Sequence, residues 1–182
     1  MTPTLRQFIQ FQSVIGMASA MIFPFYILLL RNVGDSYAQF GWAYGLFALS
    51  SALAYPWIGR LSDRVGDQRL LLVYSWGMAL VLLVLPFLTD VWQIYIVQIV
   101  MGLLGAIGRN SEKTVLARVT TTDKAGKTIG NYHTVTGVAA AVAIIATGYL
   151  VDFLTIGALF FLASLLFASS AVMIHRIKKP LS

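Results

Sequence analysis

Residues 59–69 read Gly59-Arg60-Leu61-Ser62-Asp63-Arg64-Val65-Gly66-Asp67-Gln68-Arg69, and long apolar stretches flank them on both sides. Charges at this density cannot sit in hydrocarbon. Between two membrane helices the segment must therefore lie at a water interface. The pattern predicts a loop from Gly59 to Arg69, joining a helix that ends near Ile58 to one that begins near Leu70. Gly59 and Gly66 permit a tight reversal because neither carries a Cβ. Asp63, with Arg64 beside it, can accept hydrogen bonds from the free backbone N–H groups of a helix N-terminus.

The remainder of the chain fits a membrane setting. Of its 182 residues, 58% are hydrophobic and 11% are charged, and the mean hydropathy is +0.79. A soluble domain would carry about 25% charged residues. A spanning helix uses ~20 apolar residues, and stretches of that order fall near residues 7–30, 37–58, 70–88, 91–119, 128–151 and 154–174. They predict an all-α membrane protein with six transmembrane helices, a single domain over residues 1–182 with no room for a soluble domain of ordinary size. The first stretch contains Gln7, Gln10, Gln12 and Pro24 and outruns the apolar core of a signal peptide, so it is expected to be a retained helix.

Charge placement sets the orientation. With six spans, Arg6, the Arg60–Arg64–Arg69 group, the Arg118–Lys124–Lys127 group and the Arg176–Lys178–Lys179 tail share one side, while Arg31 stands alone on the other. By the positive-inside rule both termini are cytoplasmic, and the net charge of +6 reflects the membrane rather than a nucleic-acid partner. There is no cysteine, and His133 and His175 have no metal-ligand spacing. No nucleophile–base set, phosphate-cradling glycine loop or nucleotide motif is visible, so neither an enzyme nor a cofactor or metal site is expected.

The Gly59–Arg69 segment resembles the signature loop between the second and third helices of the major facilitator superfamily of transporters. The likeness extends to Phe23-Pro24-Phe25-Tyr26 in helix 1, to Pro56-Trp57-Ile58-Gly59, and to the stretch from Gly102 through Asp123-Lys124-Ala125-Gly126-Lys127 to Gly130. The resemblance implies one six-helix half of the family's fold, a half-size member. The family joins two such halves as parallel repeats, so two copies could form the full architecture as a homodimer; a truncated half fits equally. It also implies that Gly59, Asp63, Arg64 and Gly66 form a gating element that touches the opposite half. Three departures stand out. Gln98, four residues before Gly102, occupies the spot where many proton-coupled members have arginine. Helix 5 has Ala141-Val142 or Ala143-Ile144 where antiporters carry Gly-Pro. Asp67-Gln68 replaces the basic pair that often follows the second glycine.

Ionisable groups inside membrane helices are functional candidates by default. Helix 4 carries Arg109, Asn110, Glu112 and Lys113. Spacings of three and four put Arg109, Glu112 and Lys113 near one helix face. Two readings follow: Arg109 and Glu112 compensate each other at the cytoplasmic end, or the group faces a central cavity as a substrate or coupling-ion site. His133 could relay protons or be a hydrogen-bonded interfacial residue. Gln12 and Gln98 could bind a ligand or a neighbouring helix. Small residues in helix 4 (Gly102, Gly105, Ala106, Gly108) and helix 5 (Gly137, Ala140, Ala141, Gly148) suit close packing or a sliding surface. The expected function is secondary transport of a small solute by alternating access, as a homodimer in a cell membrane such as the bacterial inner membrane. The opposing class is a non-transporting receptor, a regulatory subunit or an inactive half.

Overall fold

The computed structural model describes residues 3–22, 26, 36–120 and 125–177. Over these residues the chain forms six long helices: α1 (Pro3–Ile22), α2 (Tyr37–Val65), α3 (Asp67–Val84), α4 (Val91–Val119), α5 (Ala125–Val151) and α6 (Ile156–His175). A single 3-10 turn, Leu85–Phe87, closes α3 where Pro86 cannot continue the ladder. Side-chain caps set several starts. Ser36 accepts from the Gln39 amide at α2, Gln93 Oε1 takes the amides of Thr89 and Asp90 at α4, and Thr155 accepts from the Ala158 amide at α6. These contacts satisfy donors that a helix N-terminus otherwise leaves open. A turn is expected from the sequence at Arg31–Ser36; of it all but Ser36 lies outside the described residues, as do Pro24, Asp123, Lys124 and the tail from Lys178.

Helix ends differ from the sequence expectation by a few residues at several places, and most at the end of α2. The Gly59–Arg69 segment is not a loop: α2 runs on through Gly59 to Val65, and Gly66 alone makes the reversal. Its φ of 88° is the sole positive φ among the described residues, a conformation that a side chain would strain. Charge marks where the apolar run of helix 2 stops, not where its hydrogen-bonded ladder stops.

The helices pack in a defined pattern. α1 lies against α5 and α6, α3 against α4 and α6, and α2 against α4. The core side chains include Phe8 and Phe11 of α1, Leu71 and Leu82 of α3, and Phe160 and Phe167 of α6, all fully buried. Ser164 Oγ donates to the Ala79 carbonyl at 2.7 Å, and Ser170 Oγ meets Ser75 Oγ at 3.1 Å, interhelical bonds of the kind used where water is absent. The α2–α4 crossing depends on Gly102, where a Cβ would run into the Phe47 carbonyl and the Ser50 side chain.

The outer surface is apolar. Trp42, Leu53 and Trp57 on α2, and Val138, Ile145 and Tyr149 on α5, are more than half exposed, which suits lipid rather than water. α3 with its terminal turn, α4, α5 and α6 are each long and apolar enough to cross a membrane. α1 and α2 are not among these four. The described part of α1 is polar in its first half, and α2 is rich in Gly, Ser, Tyr and Trp. On α4, Gly102, Ala106 and Gly108 are buried at helix contacts, whereas Gly137 and Gly148 of α5 have no atom within 4 Å of an added Cβ. Close packing within the chain therefore accounts for the small residues of α4 and not for those two of α5.

Candidate functional site

Polar side chains on membrane helices turn toward one another or toward water-accessible space, because hydrocarbon offers them no partner. In this bundle they converge on a cavity of about 500 Å³, walled by α1, α2, α3, α4 and α5. Gln12 and Gln98 are buried, and both reach the wall. Arg109, Glu112 and His133 stand on it too. Asn110 and Lys113 are not on this wall. One residue further along α4 than Arg109 and Glu112, they are turned away by the helix, and Lys113 is exposed.

Much of the remaining wall is aromatic. Phe40, Tyr44 and Phe47 follow one another along one face of α2 and stack, with centroids 6.4 and 6.0 Å apart. Tyr74 and Tyr132 add rings from α3 and α5. Tyr26 also reaches the wall, and its buried hydroxyl has no hydrogen-bond partner among the described residues.

Arg109 and Glu112 share the cavity side of α4, and the direct pair, one of the two readings of their spacing, is not formed. The Arg109 guanidinium lies over the Phe47 ring, 5.5 Å from its centroid. Glu112 Oε1 instead accepts the Tyr132 hydroxyl at 2.5 Å. The two side chains leave a common face in different directions. The delocalised cation takes a ring on α2, and the carboxylate takes a phenol on α5. Tyr132 is held for this role by stacking on Phe8, 6.1 Å between centroids and 14° between planes.

The ion pair found among the described residues lies elsewhere, and sequence reading missed it. Asp67, fully buried, accepts Ser62 Oγ at 2.5 Å and Arg118 Nη1 at 3.0 Å. Its neighbour Gln68 donates from Nε2 to the carbonyls of Ile174 and Ile177, at 3.0 and 3.1 Å. These contacts tie α2, α3, α4 and the end of α6 together. A signal was present: an acid in the first turn after a reversing glycine suits a helix N-terminus, and Arg118 sits in the last turn of α4. Gly59, Asp63 and Arg64 lie on the last turns of α2, where Asp63 and Arg64 are exposed. Asp63 does not cap the helix that follows it: Gly66 stands at the N-cap of α3, and no side chain bonds there. Among the described residues no cluster of three His, Asp or Glu could hold a metal ion.

Apolar outer faces around an inner wall of glutamines, aromatic rings and opposite charges define a membrane protein built about a solute-sized cavity. Residues 11–181 match the family described as the Major Facilitator Superfamily, and the chain belongs to that superfamily of transporters. The MFS-type transporter YitZ of Bacillus subtilis (strain 168), itself uncharacterized, is 49% identical over 159 residues, covering 87% of this chain and 97% of YitZ. The multidrug resistance protein MdtG of Proteus mirabilis is 30% identical over 82% of this chain and 38% of its own length. MdtG of Salmonella arizonae is 32% identical over 84% of this chain and 39% of its own length. The chain thus spans nearly all of YitZ but well under half of the MdtG proteins.

Proposed function

We propose that the chain is a secondary active transporter unit: a single six-helix domain, with all six helices crossing a bacterial cell membrane and both termini cytoplasmic, that moves a small solute by alternating access. The observation that carries this reading is the cavity itself. Gln12, Gln98, Arg109, Glu112 and His133, far apart in sequence, meet on the wall of one solute-sized space inside an apolar shell. α1 and α2 complete that wall, which supports their spanning the bilayer with the four more apolar helices. The MdtG relatives are named for multidrug resistance, which supports a solute of drug-like size.

The unit works as a homodimer of parallel six-helix halves. Supporting this are a relative matched over 97% of its own length and the open glycine positions on α2 and α5, Gly41, Gly45, Gly137 and Gly148, which offer a second copy a close approach. In such a dimer Asp63 and Arg64, exposed at the end of α2, meet the partner and bias the gate. Two measurements test the proposal: mass in lipid nanodiscs, and solute flux into proteoliposomes. A strictly monomeric mass sinks the dimer. Solute binding without flux replaces the transporter with a receptor or regulatory subunit.

A further inference from the structure

The two charges on the cavity wall are not equally engaged. Glu112, the one carboxylate on the wall among the described residues, is held by the Tyr132 hydroxyl. Arg109 has no carboxylate within ion-pair distance among the described residues; its recorded contact is the Phe47 ring. An arginine in a membrane helix without a counter-charge is costly, and the wall supplies it with none directly.

The contact Arg109 does make leaves its chemistry available. A guanidinium directs all five N–H donors outward in its own plane, matched to the two oxygens of a carboxylate. A ring beneath it consumes none of those donors. The same ring continues into the stacked series Phe47, Tyr44 and Phe40, which borders the same cavity. A planar ring finds apolar faces there, next to the Arg109 guanidinium. His133 adds a second nitrogen-bearing group on the α5 wall, and the Tyr26 hydroxyl offers a further donor.

From this juxtaposition we infer that the cavity binds an aromatic organic anion, its carboxylate or equivalent acid group on Arg109 and its ring against the α2 aromatic series. An organic cation of the same shape would face the Arg109 charge, and the one carboxylate on the wall among the described residues, Glu112, already accepts a bond from Tyr132. The inference rests on reading this cavity as the solute site, and it names the class of that solute.

Three probes sharing one ring system separate charge from shape: naphthoate, naphthamide and naphthylmethylammonium. Binding is measured by calorimetry on the full chain in lipid nanodiscs. Naphthoate should bind about tenfold or more tighter than the amide, the value of one charge-assisted hydrogen bond, and the ammonium should bind weakest. Arg109→Gln should bring the anion-to-amide ratio to about one, while Arg109→Lys keeps part of the preference and shows that the fold tolerates change at this position. Tyr44→Ala should weaken all three probes alike. Equal affinity for the three, tighter binding of the ammonium, a ratio unmoved by Arg109→Gln, or no binding of any probe overturns the inference. Flux of the same probes in proteoliposomes tells its failure from that of the transport proposal. Charge-selective binding without flux removes transport and leaves the anion site. Flux without preference for the anion does the reverse.

Discussion

Arg109 and Arg118 stand on the same helix and meet opposite fates. At the Gly66 end of the bundle, Arg118 reaches Asp67, whose two oxygens are divided between the arginine and Ser62. In the cavity, Arg109 rests on a ring, and Glu112, three residues along, turns to Tyr132. The first group is closed: the buried acid is fully paired, and its contacts join helices. The second is open: opposite charges lie near each other, each with a neutral partner, and both border a cavity. A closed network spends its interactions on holding helices together. An open one keeps donors in hand for something that enters, and that is what separates a fastening from a site.

The comparison can be broken most severely at Asp67. Asp67→Ala leaves Arg118 without its acid and Ser62 without its acceptor, and removing one partner of a buried pair costs about 3–5 kcal/mol. Since Arg118 is 39% exposed, water recovers part of this, and the lower end is expected. Thermal unfolding of the purified protein in detergent measures it, and adding Arg118→Leu should make the double milder than the sum of the singles.

Next in size is the crossing that frames the cavity. Gly102→Val forces α2 and α4 apart at the Phe47 carbonyl, an overpacking cost of about 1–3 kcal/mol. Gly137→Ala, with nothing in its way, should stay within about 0.5 kcal/mol. Similar losses in the two variants would mean that α2 and α4 are not in contact as described.

The open group is sharpened by two double-mutant cycles. Tyr132→Phe strips Glu112 of its donor and should cost about 1–2 kcal/mol. A cycle of Tyr132→Phe with Glu112→Gln should return a coupling above about 0.5 kcal/mol, and one of Arg109→Gln with Glu112→Gln a coupling below it. A reversed order would restore the direct Arg109–Glu112 pair that spacing alone suggested.

The smallest stability change belongs to Asp63. Asp63→Asn, on an exposed turn, should alter unfolding by less than about 0.5 kcal/mol, while lowering turnover if the residue gates against a partner. Intact turnover removes that role.

What could be read from the chain follows from what each signal reports. A long apolar stretch between polar turns reports a helix in lipid or core, and it placed α4 from near Val91 to about Val119, where the structure has it. Hydropathy does not report the hydrogen-bond ladder, so the charged end of α2 looked like a loop although its helix continues to Val65. Gln12, Gln98, Arg109, Glu112 and His133 were legible as polar groups in apolar surroundings, and all five reach the cavity wall. Their partners were not legible. Spacing within one helix says which residues share a face, whereas Phe47 and Tyr132 arrive from other helices, as Arg118 does for Asp67.

The single-residue reversal at Gly66 has a mechanical consequence. With no slack between them, α2 and α3 form one stiff angled strut rather than two tethered rods. The joint is braced by the buried Ser62–Asp67 contact with Arg118 of α4, and by Gln68 holding the carbonyls of Ile174 and Ile177 at the end of α6. A push on the tip of α2, where Asp63 and Arg64 project, is transmitted through the joint to α3, α4 and α6 instead of being absorbed in a flexing connection.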